Sequence, residues 1–416
     1  VSSILVWSIA AGTIAGILFR PKDWPEAVWA CLGAILLVIS GLLPVSEAGI
    51  AVAKGTDVYL FLTGMMLLSE LARREGVFAW LASLAVVAAK GSRTRLFSLI
   101  YLVGIVVTVF LSNDATAVVL TPAVYAAVQK SRTKALPYLF ICAFIANAAS
   151  FVLPISNPAN LVVYGSKLPP LLPWLRIFLA PSLCSVLATY FALRWVVRED
   201  LLGQVEVGGD IEKLSPTGRS AAWGIVGTGG ILLVASAFGL ELGLPTCLAA
   251  IISVLIATRA RASALRDVAA SVSWSVLPLV AGLFVLVEAL NHAGAQTDVG
   301  GILRWCAGLP TLAGSIMSSF GIAALSNIMN NLPSGLLAGG ALQAVRVPSS
   351  IRDSVLIGVD LGPNLSVTGS LATVLWLIAL RREGEQISGW QFLKTGLIVM
   401  PPALLLSTVA VALLSQ

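Results

Sequence analysis

The sequence predicts an all-α polytopic membrane protein built from two inverted-topology repeats of five transmembrane helices, each repeat carrying one re-entrant hairpin and one broken helix. Three observations carry this expectation. Apolar side chains make up 58% of the 416 residues and charged ones only 11%, against roughly 25% charged in a soluble domain. Apolar runs of about 20 residues, long enough to cross a bilayer as helices, recur from end to end. Polar breaks interrupt those runs at matching places in the two halves. Such breaks are expensive inside a membrane unless protein or water covers them.

The first repeat, 1–197, reads as apolar segments 3–19, 27–44 and 57–74 and a short 77–91. A hairpin 95–129, a broken helix 135–164 and a closing span 172–197 follow. The first run reads as a span rather than a cleavable signal. A polar stretch, 198–220, carries Glu199, Asp200, Glu206, Asp210, Glu212, Lys213 and Arg219 and reads as a cytoplasmic linker. The second repeat, 221–416, restores the order: 221–239, 243–258, 274–291, a short 297–308, a hairpin 310–342, a broken helix 349–380 and 391–414. Three landmarks set the register. Ser112-Asn113 matches Ser326-Asn327 at an offset of 214, Leu153–Val163 matches Ser366–Trp376 at 213, and Glu70 matches Glu288 at 218. A nearly constant offset marks an internal repeat.

Charge sets the expected topology. If each hairpin leaves on the side it entered, each half crosses five times, and an odd number inverts the second half. With both termini outside, 20 of the 26 Lys and Arg fall on the inner side and six on the outer, as the positive-inside rule requires. Full crossings by 95–129 and 310–342 would instead carry Lys130, Arg132 and Lys134 outside.

The breaks are where chemistry is expected. Ser, Asn and Asp are the favoured helix N-caps, so the second arm of each hairpin begins in the membrane with free N–H groups and partial positive charge. Ser112, Asn113 and Thr116 mark the first hairpin, and Ser326, Asn327, Asn330 and Asn331 the second. Ser156, Asn157 and Asn160 break one spanning helix; Asn364, Thr368, Ser370 and Thr373 break its counterpart. Amides and hydroxyls both donate and accept, so this set suits a small, neutral, polyhydroxylated solute or a cation held by carbonyls. The alternative is that these groups only cap broken helices. Two acids interrupt the symmetry: Asp114 aligns with Ile328 and Asp360 with Asn147. An acid within the membrane is a functional candidate by default, commonly in proton relay. Glu70 and Glu288 sit near span ends and read as interfacial, and Asp57 as a cap.

Other chemistries find no residues. There is no GxxxxGK[ST] phosphate loop, no HExxH and no CxxC, so neither that ATPase chemistry nor a metal site is expected. His292 stands alone, and the five cysteines are scattered. No cofactor, enzyme activity or nucleic-acid partner is expected; the excess of six positive charges is absorbed by topology.

At LSNDATAVVLTP (111–122), FIANAASFVLPISNPANLVV (144–163), LSNIMNNLP (325–333) and GVDLGPNLSVTGSLATVLWL (358–377) the chain resembles the ArsB-type arsenite and antimonite efflux permeases of the ion transporter superfamily. The resemblance spans nearly the whole chain. It implies a secondary active transporter of a bacterial or archaeal inner membrane that expels trivalent arsenic or antimony in exchange for protons and so confers resistance. Some members dock a cytosolic arsenite-stimulated ATPase subunit, which, with a homodimer and the lipid bilayer, completes the expected partners. Asp114 and Asp360 are then the proton-coupling candidates, and Asn147, Asn364, Glu70 and Glu288 secondary ones. Family members commonly carry Lys at the place of Asn364, and many carry Asp at the place of Asn147. Both departures remove a charge and count against a Lys–Asp pair as proton carrier here. Arsenite at neutral pH is the uncharged triol As(OH)3, which amides and hydroxyls can bind much as they bind a polyol. Capture by several thiolates is disfavoured by the scattered cysteines. The rivals are a sodium/proton antiporter and a dicarboxylate or sulfate symporter. The symporter calls for a Lys or Arg at the breaks, and none is there.

Overall fold

A computed structural model describes residues 2–205 and 213–415; the linker acids Glu206, Asp210 and Glu212 lie outside the described residues. Helices account for the fold, and the only β contact among the described residues is a lone bridge from Ser92 to Gln204. The first half runs α1 (Ser2–Phe19), α2 (Glu26–Ile39), α3 (Val45–Lys54), α4 (Thr56–Arg74), α5 (Val77–Ala88) and α6 (Arg93–Phe110). It continues through α7 (Asn113–Ala115), a π turn (Thr116–Leu120), α8 (Thr121–Lys130), α9 (Leu136–Ala148), α10 (Pro158–Tyr164) and α11 (Leu171–Val196). The second half runs α12 (Pro216–Ala237), α13 (Gly243–Ala257), α14 (Ala262–Ser271), α15 (Val276–His292) and α16 (Ala295–Ala307). It ends with α17 (Thr311–Met329), α18 (Asn331–Ala344), α19 (Ser349–Leu361), α20 (Leu371–Arg382) and α21 (Gly389–Leu414).

Among the described residues five helices, α6, α11, α12, α17 and α21, are long and apolar enough to cross a membrane. Two bent pairs reach that length together, α3 with α4 at 48° and α14 with α15 at 41°. Helices α3 and α14 were not expected from hydropathy, because each mixes charge with alanine and lies at the end of an apolar run. Large apolar side chains face outward: Leu32, Ile35, Leu36 and Ile39 on α2 and Leu248, Ile252 and Ile256 on α13 are exposed. In water that surface would be unfavourable; against lipid tails it is neutral.

Between helices, small residues set the approach. On α19, a Cβ at Gly358 would lie 2.3 Å from the Ser319 carbonyl of α17, so only glycine lets these backbones meet. Hydroxyls fill the same seams, as in the 3.0 Å bond from Thr408 to Ser319. Asp57 caps a neighbouring helix rather than its own: its Oδ1 accepts from Gly243 N of α13 at 2.6 Å. Glu70 pairs with Arg73 at 2.6 Å and Glu288 with Lys54 at 3.0 Å, both at helix ends.

The breaks fall at matching ordinal positions, with one correction to the register. The second arms begin at Asn113 and Asn331, 218 residues apart. The Ser326-Asn327 pair lies inside the last turn of α17, and the chain breaks at Asn330, whose φ is 78°. Asp114 therefore corresponds to Leu332, not Ile328. The hydroxyl pairs agree: Thr108 bonds Thr116 at 2.8 Å and Ser326 bonds Ser334 at 2.7 Å, again offset by 218. Sequence matching aligned the Ser-Asn letters, whereas the backbone aligns the caps. The broken helices keep the expected offset of 213, from α10 at Pro158 to α20 at Leu371.

Candidate functional site

Four helix N-termini converge on one cleft. Each is made by a local cap. Ser112 Oγ accepts from Ala115 N at 3.1 Å, and Asn157 Oδ1 from Ala159 N at 3.0 Å. Asn330 Oδ1 accepts from Leu332 N at 3.3 Å, and Ser370 Oγ from Thr373 N at 3.1 Å. Asn157 also precedes Pro158, which is suited to a first helical turn because its missing N–H would have no partner there. In the first hairpin the second arm widens into its π turn just before Pro122, where the helix has no N–H to offer.

Each terminus gives two residues to the cleft: Asn113 and Asp114, Asn157 and Pro158, Asn331 and Leu332, Leu371 and Ala372. Leu62 of α4 and Val276 of α15 close its sides. The space holds about one water-sized molecule.

Among the expected ligands, Asn113, Asn157 and Asn331 reach the cleft; the others hold the breaks together. Ser112 and Ser370 are caps. The hydroxyls of Thr116 and Ser326 bond across their hairpins, and Ser370 lies 2.8 Å from Thr373. Ser156 donates to Val109 O at 3.0 Å, tying the broken helix to the first hairpin. Asn160 Nδ2 lies 3.0 Å from Ser150 O and 3.3 Å from Leu153 O, gathering the turn before α10. Asn327 Nδ2 donates to Gly362 O at 2.9 Å, and its Oδ1 accepts from Ser366 at 2.6 Å. Thr368 donates to Asn327 O at 3.0 Å. These bonds satisfy backbone groups that unwinding leaves free in a place without water.

The two acids have different surroundings. Asp114 lines the cleft, and its carboxylate makes no hydrogen bond or ion pair among the described residues. Asp360 is fully buried one layer behind. Asn157 Nδ2 donates to its Oδ1 and Ser150 to its Oδ2, each at 2.9 Å. Asn157 therefore touches both the cleft and Asp360. Asn147 and Asn364, already neutral in the sequence, bond to each other: Asn147 Nδ2 donates to Asn364 Oδ1 at 3.0 Å, and Asn364 Nδ2 to Phe144 O at 2.9 Å. No cysteine lines the cleft, and no cluster of three metal-ligating side chains occurs among the described residues. Two buried acids escaped the sequence reading: Glu26, paired with Arg20 at the start of α2, and Asp353, 1% exposed on α19. Its neighbour Arg352 made the segment look like a charged span end, and only the fold shows the carboxylate turned inward.

The sequence model of the citrate transporter family CitMHS matches residues 14–380. The chain belongs to this family. It is thus a membrane transporter and not an enzyme. It is also 28% identical over 430 residues to an arsenical pump membrane protein of Escherichia coli, with 99% of this chain and 98% of that one covered. A putative arsenical pump membrane protein of Bacillus subtilis is 24% identical, with 94% of each covered. Among solved structures, the Alcanivorax borkumensis YdaH transporter, described as having an unusual topology, aligns at a TM-score of 0.55 and 12% identity. It covers 93% of this chain and 97% of its own, which establishes a shared fold.

For a transporter, the electrostatics of the cleft are specific. Each helix N-terminus carries up to about half a positive charge in its free N–H groups. Asp114 supplies the one ionisable side chain among the lining residues, and no Lys or Arg lines the space. The cleft therefore offers N–H donors, amide donors and acceptors, and one carboxylate.

Proposed function

We propose that the protein expels trivalent arsenic, as arsenite and antimonite, across a bacterial inner membrane in exchange for protons. The observation that carries this reading is the chemistry of the cleft: three Asn side chains and one carboxylate at converging helix ends, with no basic residue. As(OH)3 is neutral and its hydroxyls donate and accept, so Asn113, Asn157 and Asn331 complement it. Asp114 takes up and gives back the proton at the cleft, and Asp360 answers through Asn157. The names of the full-length relatives agree with this cargo.

Alternating access rests on two inverted five-span repeats with the linker inside and both termini outside. Packing supports it. Helix α18 leaves the cleft alongside α10, with Gly339 against the Val162 carbonyl, where a Cβ would lie 2.8 Å away. Helices α9 and α20 pair on the other side, joined by the Trp376 bond to Leu139 O at 3.0 Å. On this reading the two hairpins enter toward one cleft from opposite faces.

A second reading is a carboxylate anion, favoured by the four N-termini, which attract negative charge, and by the family's description. The absence of Lys and Arg and the presence of Asp114 oppose it. Everted vesicles with an imposed pH gradient decide between them, comparing arsenite, antimonite, citrate and sodium. Gradient-driven arsenite or antimonite uptake is expected; citrate uptake without either metalloid would replace the proposal with the anion reading.

A further inference from the structure

Helices α10 and α19 run antiparallel and are latched at both ends. At the cleft end, Asn157 donates to Asp360 at 2.9 Å. At the far end, the Tyr164 phenol donates to Asp353 Oδ1 at 2.7 Å. Tyr164 lies seven residues beyond Asn157 and Asp353 seven before Asp360. Seven residues are nearly two turns, so both acids share one face of α19, about 10 Å apart. Arg352 completes the far latch: its Nε donates to the same Asp353 oxygen at 3.1 Å, and its guanidinium lies 5.4 Å from the centre of the Tyr164 ring. The Arg352 side chain is 41% exposed and that of Asp353 only 2%. A buried carboxylate is thereby linked through one residue to the surface.

The matching place in the other half is hydrocarbon. The residues 213 positions from Tyr164 and Asp353 are Leu377 and Phe140. There Phe140 stacks on Trp376 at 5.9 Å, and Phe392 packs on both Trp376 and Phe144. The repeat needs no acid to hold these half-helices together, because aromatic packing does so on one side. An acid kept at such depth points to function.

We infer that Asp353, with Tyr164 and Arg352, is a proton-binding site facing the outer aqueous phase that controls the hold of α10 on α19. The inference rests on the proton-exchange reading and on the topology proposed with it. In the latched state Asp353 is a carboxylate accepting from the phenol and the guanidinium. A proton from outer water adds to Asp353; the phenol keeps its own, and the ion pair with Arg352 is lost. The short helix α10 carries this change as one piece to Asn157, which caps it at the cleft. Release of the proton to the same phase restores the latch.

Other groups do not take this role. Helices α17 and α18 carry no titratable side chain, and that of α21 is Lys394, near its start. Helix α16 carries Asp298, Arg304 and Cys306, and α9 carries Tyr138 and Cys142; Arg346 precedes α19. None of them bonds Asp353 among the described residues.

The test uses the full chain in everted vesicles, whose lumen faces the outer side. Arsenite counterflow at equal pH reads the cleft alone; gradient-driven arsenite uptake at varied lumen pH reads the coupling. Asp353→Asn should keep counterflow, flatten the lumen-pH profile and lose at least about tenfold of gradient-driven uptake. Tyr164→Phe keeps the carboxylate and its Arg, guards against a misfolded first variant, and should displace the profile's midpoint by about half a pH unit or more. Both variants following the wild-type profile would overturn this site and leave the exchange reading intact. A wild type indifferent to the gradient would overturn the exchange reading and this site with it.

Discussion

The two hairpin tips share a skeleton and differ in charge. Each has a hydroxyl pair spanning the break, Thr108 with Thr116 and Ser326 with Ser334, and each begins its second arm with an Asn at the cleft. One residue later the first tip has Asp114 and the second Leu332. The geometry was kept while the ionisable group was confined to one tip. A single open carboxylate can be neutralised by one proton, whereas two carboxylates in so small a cleft would repel each other and share protons. The difference teaches that the shared skeleton of the tips builds the cleft, while only one tip brings an ionisable group to it.

The largest expected effect breaks the comparison at its acid. Asp114→Asn should abolish gradient-driven arsenite uptake, a loss of about a hundredfold or more, while Leu332→Asn in the other tip stays near the wild-type rate. Full gradient-driven activity in Asp114→Asn would clear that residue of the proton. The next effect tests the link from cleft to buried acid. Asn157→Ala removes a helix cap and leaves Asp360 with one partner fewer, so it should destabilise the protein by about 2 kcal/mol. Thermal unfolding in detergent would show it, together with a transport defect; a stable, fully active variant would remove Asn157 from the site.

A third experiment concerns the neutral pair. Asn147→Asp and Asn364→Lys each place a lone charge in a buried contact, and each should destabilise by about 3 kcal/mol or more. Together they should recover part of that loss, because the charges can pair. Additive losses in the double-mutant cycle would show that the two sites no longer meet. The smallest effect tests the shared skeleton. Thr108→Val and Ser326→Ala should each cost about 1 kcal/mol, and similar melting-temperature shifts would confirm that the two hydroxyl pairs do equal work. A much larger loss in one half would mean that the tips differ in structure as well as in charge.

Much of the fold was legible because membrane spans are written locally. Hydropathy finds apolar runs, and caps such as Ser112, Asn157 and Ser370 declare where a helix restarts. The error at Asn330 has a local cause too. Ser326-Asn327 copies the letters of the first break, but Ser326 is the counterpart of Thr108, and the backbone stays helical to Met329 before Asn330 caps the second arm. Helices α3 and α14 were missed because mixed charge hides short helices bent onto the spans that follow.

By itself the sequence determined the class, the order of the apolar runs, the four breaks to within one helical turn and the amide-rich chemistry at them. All of these follow from composition and from interactions within a few residues. The tertiary structure alone decided which polar groups face the cleft. Asn160, Ser156 and Asn327 look as suitable as Asn113, Asn157 and Asn331, but their side chains are taken by carbonyls, Asn160 by Ser150 and Leu153 in the turn before α10, Ser156 by Val109 and Asn327 by Gly362. It also decided that Asp360 lies behind the cleft, that Asp57 caps a neighbouring helix, and that Asp353 turns inward to Tyr164. The physical reason is the same in each case. A buried polar group is satisfied by whichever partner packing brings within 3 Å, and that partner is not written beside it in the sequence.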